Sequence, residues 1–269
     1  MGFVCHGDHD LSPSGHMPMA NAGGHVQITY NGELYNYPAL RTYLEGRGHR
    51  FRTRCDTEAL LHGYREWGVH LARHLEGMFA FVLVDQSDGL VVAARDRLGI
   101  KPLYWSRTGR RISFASEPKA LFFLDSDLQA TADPLATAAV LTLLWVPHPR
   151  TSFLRVEKLP PGHQVVLRDA QPRVERYWDL VEAWTEHRAA AATAGPKALA
   201  SALQAAVDAQ LLADVPVGVL LSGGLDSCFV LELMSRISRQ AKIPTIAVGY
   251  EQRAQAYEFL PDDADWLQA

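Results

Sequence analysis

The sequence lacks the features that mark secreted, membrane-spanning and metal-binding proteins. Only three cysteines, Cys5, Cys55 and Cys228, occur in 269 residues, too few and too scattered for a disulfide framework or a zinc knuckle. The eleven histidines are dispersed, so we expect solvated or core histidines and no metal centre. No apolar run is long enough to span a bilayer, and no signal-peptide pattern opens the chain. These absences predict a protein of the reducing cytoplasm that does not enter a membrane.

An excess of charge of one sign is also missing. Lysine and arginine number 26 against 30 aspartates and glutamates, which gives a net charge of −4. No nucleic-acid or anionic-membrane partner is therefore expected. With 48% hydrophobic and 21% charged residues, the composition is that of an ordinary globular protein, and the length is enough for two modest domains.

The pattern of the first half predicts antiparallel strands and two helices. Alternating, β-branched residues at 26–30 predict a strand that stops at Asn31-Gly32. Residues 56–67 have the apolar spacing of a helix, with Gly68 placed to cap it. These elements indicate an α+β layered domain. The other predicted elements are a helix from Pro38 to about Gly46, strands at 78–84 and 90–94, hairpins at 103–115 and 165–177, and an apolar helix from Leu135 to Val146 that Pro147 and Pro149 end.

From Lys197 onwards the pattern changes to that of an α/β domain. A helical stripe of apolar residues precedes a nearly continuous apolar strand at 217–221, which is typical of a parallel strand buried on both faces. A helix from about Asp226 and a strand at 245–250 complete a β-α-β unit. Before them, the segment TEHRAAAATAGP at 185–196 has few large apolar residues and indicates a linker or an exposed helix end. The predicted domains are 1–178 and 197–269, joined by a linker at 179–196.

The glycine turn, SGGLDS at 222–227, joins the predicted strand to the predicted helix. Gly223 and Gly224 let the backbone curl and bring several N–H groups to an anion at the positive end of a helix. Ser222 and Ser227 are placed to donate to phosphate oxygens, and Asp226 to orient the turn or to act through Mg²⁺. The pattern predicts a phosphate cradle for ATP, although it is neither a Walker A loop nor a dinucleotide fingerprint. An ordinary strand-to-helix turn capped by Asp226 or Ser227 is the alternative.

The glycine turn after DVPVGVLL resembles the pyrophosphate loop of the asparagine synthetase family. Further segments resemble that family in the same order and extend over nearly the whole chain: NGELYNY, FRTRCDTEALLHGYREWG, LEGMFAFVLVD, ARDRLGIKPLYW, SFASEPKAL, LPPGHQVVL and RYWDL. The resemblance implies a class II glutamine amidotransferase domain of the Ntn type, followed by an ATP-pyrophosphatase-like synthetase domain with a parallel α/β sheet. It also implies ATP-dependent amidation of aspartate through an aspartyl-adenylate, with ammonia from glutamine. Mg²⁺ is the implied cofactor, and a homodimer is a possible assembly.

The resemblance assigns roles to four residues of the first domain. Asn31 and Gly32 resemble the family's oxyanion hole, and Glu33 resembles a neighbour that contacts the substrate. Asp56 resembles the acid that holds the ammonium of bound glutamine. Without the resemblance, Asn-Gly is a common turn dipeptide and Asp56 is a helix N-cap. Cys55 stands where the family more often has serine.

Two aliphatic residues are implied to contact the adenosine side of ATP. Leu220 and Val248 lie at the ends of successive apolar strands, where a parallel sheet presents its ligand crevice. The alternative is that both are core residues. The implied ATP-binding residues are Leu220, Ser222, Gly223, Gly224, Asp226, Ser227 and Val248.

The sequence departs from the family's pattern at both ends. The family's amidotransferase domain needs a cysteine directly after Met1, whose free α-amine serves as base for the thiol, whereas residue 2 is glycine. Cys5 aligns inside the domain, so we expect it not to be the nucleophile and assign no catalytic residue. The synthetase domain needs several more β-α units than the one found here. We therefore expect a fragment in which both domains are incomplete.

Three functions stay open on the sequence. The first is a glutamine-hydrolysing asparagine synthase that uses glutamine, aspartate and ATP. The second is a synthetase-like amidotransferase that acts on another acid. These two functions would differ in the C-terminal substrate pocket. The third is a catalytically silent paralogue that keeps a glutamine pocket and a nucleotide loop.

Overall fold

The computed structural model describes residues 15–169, 171–212, 216–237 and 242–249. The chain forms two compact units, Met1–Ala189 and Ala190–Ala269. None of the helices within the described ranges is both long and apolar enough to pass through a bilayer. Cys5 lies outside the described residues, so the expectation that it is not a nucleophile stays a prediction.

Nine strands of the first unit form two antiparallel sheets among the described residues. In chain order they are β1 (Met19–Ala20), β2 (Val26–Leu34), β3 (Gly77–Asp85), β4 (Leu90–Arg95), β5 (Tyr104–Thr108), β6 (Arg111–Ala115), β7 (Val156–Lys158), β8 (His163–Arg168) and β9 (Gln171–Arg176). The main sheet has the order β1-β2-β3-β4-β8-β9, and the smaller sheet has the order β6-β5-β7. Every pairing in both sheets is antiparallel, as the sequence predicted.

Several helices accompany the strands in the described part of the chain, and both helices predicted between residues 38 and 68 are present. The helices are α1 (Tyr37–Gly46), α2 (Asp56–Trp67), a 3-10 helix (Gly68–His74), α3 (Pro118–Leu124), α4 (Pro134–Leu143) and α5 (Leu180–Ala209). Pro38 stands in the first turn of α1, where its missing N–H costs nothing. Gly68 ends α2 at φ 54°, and its N–H returns to the carbonyl of Tyr64. The predictions for both helices are confirmed.

The core lies on both faces of the main sheet because strand side chains alternate between faces. From β3, Phe79, Phe81 and Leu83 enter the larger cluster, which also contains buried residues of α1 and α2. Ala80, one position along, belongs to a second cluster with Ala93, Leu103, Leu159 and Val165. The predicted α+β layered architecture is confirmed.

Strand β2 continues through Asn31-Gly32, where the sequence predicted its end. A Cβ at Gly32 would lie 2.2 Å from the Met78 carbonyl oxygen, and one at Gly77 would lie 2.1 Å from the Glu33 carbonyl oxygen. The two glycines therefore let β2 and β3 approach more closely than side chains permit. The prediction of a turn is wrong because this dipeptide serves a close strand contact.

The second unit contains a short parallel pair joined by a helix. Its elements are the end of α5, β10 (Val219–Leu220), α6 (Leu225–Ile237) and β11 (Thr245–Ile246), with β10 parallel to β11. The predicted β-α-β unit is confirmed, but both strands are shorter than the predicted 217–221 and 245–250, the last position of which lies outside the described residues. The predicted linker at 179–196 is largely helical within α5. That helix is interrupted at Gly195, which has φ 68° and precedes Pro196.

Candidate functional site

The four residues predicted to bind glutamine lie on β2 and at the start of α2. Asn31, Gly32 and Glu33 are inside β2, opposite β3, rather than at a strand end. Glu33 is buried, while Asn31 and Gly32 are half-buried. Asp56 is the first residue of α2 and only 3% of its surface is exposed.

The Asp56 carboxylate is fixed to β2 by two hydrogen bonds. The Tyr30 hydroxyl donates to Oδ2 at 2.8 Å, and the Leu34 N–H donates to the same oxygen at 3.0 Å. These two residues bracket positions 31–33, so the structure brings all four predicted residues together. The N-cap of α2 is Cys55, which contradicts the alternative in which Asp56 caps the helix.

The backbone N–H of Gly32 points away from β3. Phe79, which lies opposite Gly32, directs both its N–H and its carbonyl to Asp96 on the β4 side, at 3.2 and 2.8 Å. Two strand residues facing each other in this way form a non-hydrogen-bonded pair, whose polar groups point outward. Leu34, two residues on, shows the same direction, since its N–H reaches Asp56. The Gly32 N–H and the Asp56 carboxylate therefore lie on the same edge of β2.

Glu58 holds the segment that leads into α2, and it was not among the residues predicted from sequence. Its carboxylate accepts from the N–H of Arg52 at 2.8 Å and from the N–H and hydroxyl of Thr53 at 2.7 and 2.8 Å. Burial alone would raise the pKa of Glu58, but His62 and the donors of Arg52 and Thr53 lower it to about 2. An acid in the first turn of a predicted helix was the available signal. Glu58 thus fixes the chain just before Asp56.

A large groove lies beside this segment. Its volume is about 1170 Å³, and its lining includes Arg52, Thr53 and Glu58. None of the four residues predicted to bind glutamine lines it. The groove is therefore a separate feature from the predicted glutamine site.

The glycine turn is held together by serine hydroxyls. The Ser222 N–H donates to the Ser227 hydroxyl at 3.3 Å, and the two hydroxyl oxygens are 3.1 Å apart. The Ser227 hydroxyl donates to the Gly224 carbonyl at 3.0 Å. Gly223 has φ 78°, a conformation that favours glycine. Asp226 lies in the first turn of α6, so the turn has the predicted strand-to-helix geometry.

Several N–H groups of the turn face no acceptor within the described part of the chain. Among the described residues, the N–H groups of Gly223, Leu225 and Asp226 donate to no acceptor, and the Gly224 N–H meets the Ser222 hydroxyl at a long 3.4 Å. Unpaired donors at a helix N-terminus commonly bind anions. Because α6 begins at Leu225, Asp226 and Ser227 lie inside its first turn. Binding of phosphate by the turn, as opposed to an ordinary strand-to-helix connection, stays a prediction.

Leu220 and Val248 are both on the surface of the second unit. Leu220 is 74% exposed at the end of β10, and Val248 is 79% exposed just after β11. The alternative in which both are core aliphatics is wrong for the described structure. Their contact with a nucleotide stays a prediction.

Two family models match the chain in succession. Residues 7–178 match the glutamine amidotransferase domain, and residues 198–268 match asparagine synthase. The first match covers more than half of the sequence, and the chain belongs to the glutamine amidotransferase domain family. The predicted fold class, an amidotransferase domain followed by a partial α/β domain, is confirmed.

Curated relatives of similar sequence are glutamine-hydrolysing asparagine synthetases. Asparagine synthetase [glutamine-hydrolyzing] 3 of Bacillus subtilis (strain 168) is 35% identical over 264 residues, which cover 94% of this chain and 42% of the relative. Asparagine synthetase 1 of the same organism is 35% identical over 89% of this chain and 37% of its own length. Asparagine synthetase 2 of Arabidopsis thaliana is 36% identical over a stretch that covers 83% of this chain and 33% of the relative. The predicted resemblance is confirmed, and the chain spans about two fifths of the length of the first of these relatives.

Solved structures give weaker matches. The glutamine phosphoribosylpyrophosphate amidotransferase from B. subtilis matches with a TM-score of 0.43 and 22% identity, over 63% of this chain and 33% of that one. A glutamine aminotransferase class-II domain protein from Silicibacter pomeroyi matches with a TM-score of 0.38 and 16% identity. The match covers 61% of this chain and 73% of that one.

Proposed function

We propose that this chain supplies the glutamine-binding and nucleotide-binding parts of an ATP-dependent, glutamine-hydrolysing asparagine synthetase. In the proposed reaction, hydrolysis of glutamine releases ammonia, and an aspartate carboxylate oxygen attacks the α-phosphorus of ATP and expels pyrophosphate. Ammonia then attacks the acyl carbon of the aspartyl-adenylate, and AMP leaves to give asparagine. Aspartate is proposed as the acceptor because the curated relatives are asparagine synthetases. The few, scattered cysteines support a reducing cytoplasm as the place of action.

The observation that carries the glutamine site is the position of Asp56 on the edge of β2. Its carboxylate contacts the Leu34 N–H, and the Gly32 N–H lies on the same edge two residues away, about 7 Å at the rise of a strand. A glutamine molecule spans a comparable length from its α-ammonium to its amide carbonyl. Asp56 would hold the ammonium, while the Gly32 N–H and the Asn31 side chain would donate to the oxyanion. Glu33, buried on the same strand, would border the bound substrate.

The glycine turn is the proposed site for the phosphates of ATP. The N–H groups at the start of α6 would donate to the leaving pyrophosphate, and so would the Ser227 hydroxyl once it turns from the Gly224 carbonyl. The Asp226 carboxylate and the serine hydroxyls are hard oxygen donors of the kind that Mg²⁺ prefers. When bound there, the ion would offset the charge of the phosphates. Leu220 and Val248, both exposed, would contact the adenosine.

Calorimetry with L-glutamine tests the first site. We expect saturable binding by the wild-type chain and a loss of about tenfold or more in Asp56→Asn, because a charge-assisted hydrogen bond becomes a neutral one. Asp88→Asn, which changes an exposed acid in the β3–β4 turn, is the matched control and should bind as wild type does. Absence of binding by the wild-type chain, or equal binding by Asp56→Asn, would contradict this site.

Calorimetry with MgATP tests the second site. We expect Ser227→Ala to weaken binding severalfold because a phosphate donor is lost. Ser235→Ala is the control, since Ser235 lies on the same helix and its hydroxyl donates to the Glu232 carbonyl. Equal loss in both variants would point to a general effect on α6 and would count against the phosphate site.

A further inference from the structure

We propose that Tyr30 is a positioning residue, which orients the Asp56 carboxylate towards the ammonium of glutamine. The inference deepens the proposed function and rests on it. Tyr30 is not among the site residues predicted from sequence. It precedes Asn31 on β2 and lies 26 positions before Asp56 in the chain.

The contact geometry fixes one oxygen of the carboxylate. Oδ2 of Asp56 receives the Tyr30 hydroxyl at 2.8 Å and the Leu34 N–H at 3.0 Å. Two donors from one strand, four residues apart, leave the carboxylate little freedom to rotate. Oδ1 faces the Cys55 thiol at 3.8 Å, a weak and long contact for a carboxylate. The two bonds to Oδ2 therefore fix the direction in which the whole carboxylate is presented.

Packing alone does not account for a tyrosine at this position. The Tyr30 side chain lies in the larger core cluster, and only 2% of the residue is exposed. A phenylalanine would fill the same space, and burying a hydroxyl costs free energy unless it is hydrogen-bonded. The hydroxyl contributes through its contact with Asp56.

The hydroxyl acts as a donor over the whole working pH range. Burial, and after it the charge of Asp56, raise the pKa of Tyr30 well above its ordinary value. The proton therefore stays on the phenol oxygen, and the direction of the hydrogen bond does not change with pH.

The chain offers a matched control for removal of this hydroxyl. The Tyr64 hydroxyl donates to Oδ2 of Asp85 at 3.1 Å, which is the same kind of bond. Asp85 lies at the end of β3 opposite Val26, whereas Asp56 contacts the other end of β2. Tyr64→Phe should therefore remove a similar bond without changing the proposed glutamine site.

The test compares two ligands that differ only in the α-ammonium. Glutamine and glutaramic acid, which is glutamine without its amino group, are titrated into the wild-type chain, Tyr30→Phe and Tyr64→Phe. We expect Tyr30→Phe to lose about tenfold in affinity for glutamine and to bind glutaramic acid as wild type does. Tyr64→Phe should bind both ligands unchanged. In an Asp56→Asn background, Tyr30→Phe should have a smaller effect, since the two residues act through one contact.

Each other outcome overturns the proposal. Wild-type affinity for glutamine in Tyr30→Phe would show that the hydroxyl does not position the acid. Equal losses for both ligands, or failure of Tyr30→Phe to fold by circular dichroism, would assign the hydroxyl to stability alone. If the wild-type chain binds no glutamine, the proposed function itself fails, and that result is distinct from a wild type that binds while Tyr30→Phe is unchanged.

Discussion

Single residues determine how closely β3 can approach β2, the strand that carries most of the proposed glutamine site. Gly32 faces Phe79 across this pair, and a Cβ at Gly32 would also lie 2.7 Å from the Phe79 Cα. Backbone atoms cannot move aside as a flexible side chain can. The glycine is therefore required by the neighbouring strand, whatever its role towards a substrate.

Gly32→Ala should destabilise the first unit. The new methyl group would lie 2.2 Å from the Met78 carbonyl oxygen, so the strands must separate, at a cost of about 1–3 kcal/mol in the free energy of unfolding. Gly46→Ala is the control, because it adds a methyl group to the exposed last residue of α1 with no atom within 4 Å. Urea unfolding followed by fluorescence compares the two. Similar stability of both variants would show that β2 can shift without cost.

Glu58→Gln should destabilise the protein in a pH-dependent manner. The folded chain lowers the pKa of Glu58 from 4.5 to about 2, so its stabilising contribution, about 2–3 kcal/mol, is fully present above the unfolded pKa. It is lost as the pH falls from about 4.5 towards 2. The free energy of unfolding, measured with urea, should therefore be higher for wild type than for Glu58→Gln at pH 6, and this difference should be smaller at pH 3. Glu186→Gln, which alters an exposed acid of α5, should unfold with the same free energy as wild type at pH 6. A loss of stability in Glu58→Gln that is independent of pH would contradict the role assigned to Glu58.

At the scale of elements, a buried carboxylate organises the turn that follows β4. Asp96 is fully buried. Its side chain accepts from the N–H groups of Phe79, Leu98, Ile100 and Lys101 at distances from 2.9 to 3.2 Å. One acid thus ties the turn to β3, the strand that faces the proposed glutamine site.

The neighbouring arginine closes the same turn from its carbonyl side. The Arg95 guanidinium donates to the carbonyls of Gly99, Lys101 and Leu159 at 2.6 to 2.8 Å. Three separate nitrogens make these bonds, which a lysine could not reproduce in the same geometry. The turn is therefore determined mostly by side-chain contacts with the backbone.

Asp96→Asn should loosen this turn locally and lower stability. An amide presents one acceptor and one donor group where four N–H groups now converge, so at least one N–H faces another donor, at a cost of about 2–4 kcal/mol. Hydrogen exchange should be faster at the amides of Leu98, Ile100 and Lys101. Asp88→Asn, in the exposed turn between β3 and β4, should leave these rates unchanged. Unaltered exchange in Asp96→Asn would mean that other contacts hold the turn.

The elements were more predictable from sequence than their contacts. Apolar spacing, Pro38 and Gly68 define α1 and α2 locally, so their bounds could be read directly. The end of β2 was mispredicted because the reason for Gly32 lies on another strand. Tyr30 was missed for the same reason, since its hydrogen bond to Asp56, 26 positions away, leaves no local pattern. Glu58 bonds residues only five and six positions away, and its signal was the acid in the first turn of a predicted helix. The resemblance could nominate Asp56, but it could not reveal what holds its carboxylate.

At the scale of the whole chain, each proposed ligand site is built within one compact unit. The residues around Asp56 belong to Met1–Ala189, and the glycine turn belongs to Ala190–Ala269. The boundaries predicted from sequence, at 178 and 197, stay a prediction. Substitutions in sites built from separate sets of residues are expected to act independently.

Glutamine and MgATP binding should therefore be separable by single substitutions. Gly223 has φ 78°, so Gly223→Val should strain and deform the glycine turn and abolish MgATP binding, while glutamine affinity should stay within about twofold of wild type. Asp56→Asn should produce the converse result, because its carboxylate lies in the other unit. Calorimetry with both ligands on the two variants, with Ser235→Ala as the control on α6, measures all four effects. A loss of glutamine affinity in Gly223→Val as large as its loss of MgATP affinity would show that the sites depend on each other and that the two-unit description of function is wrong.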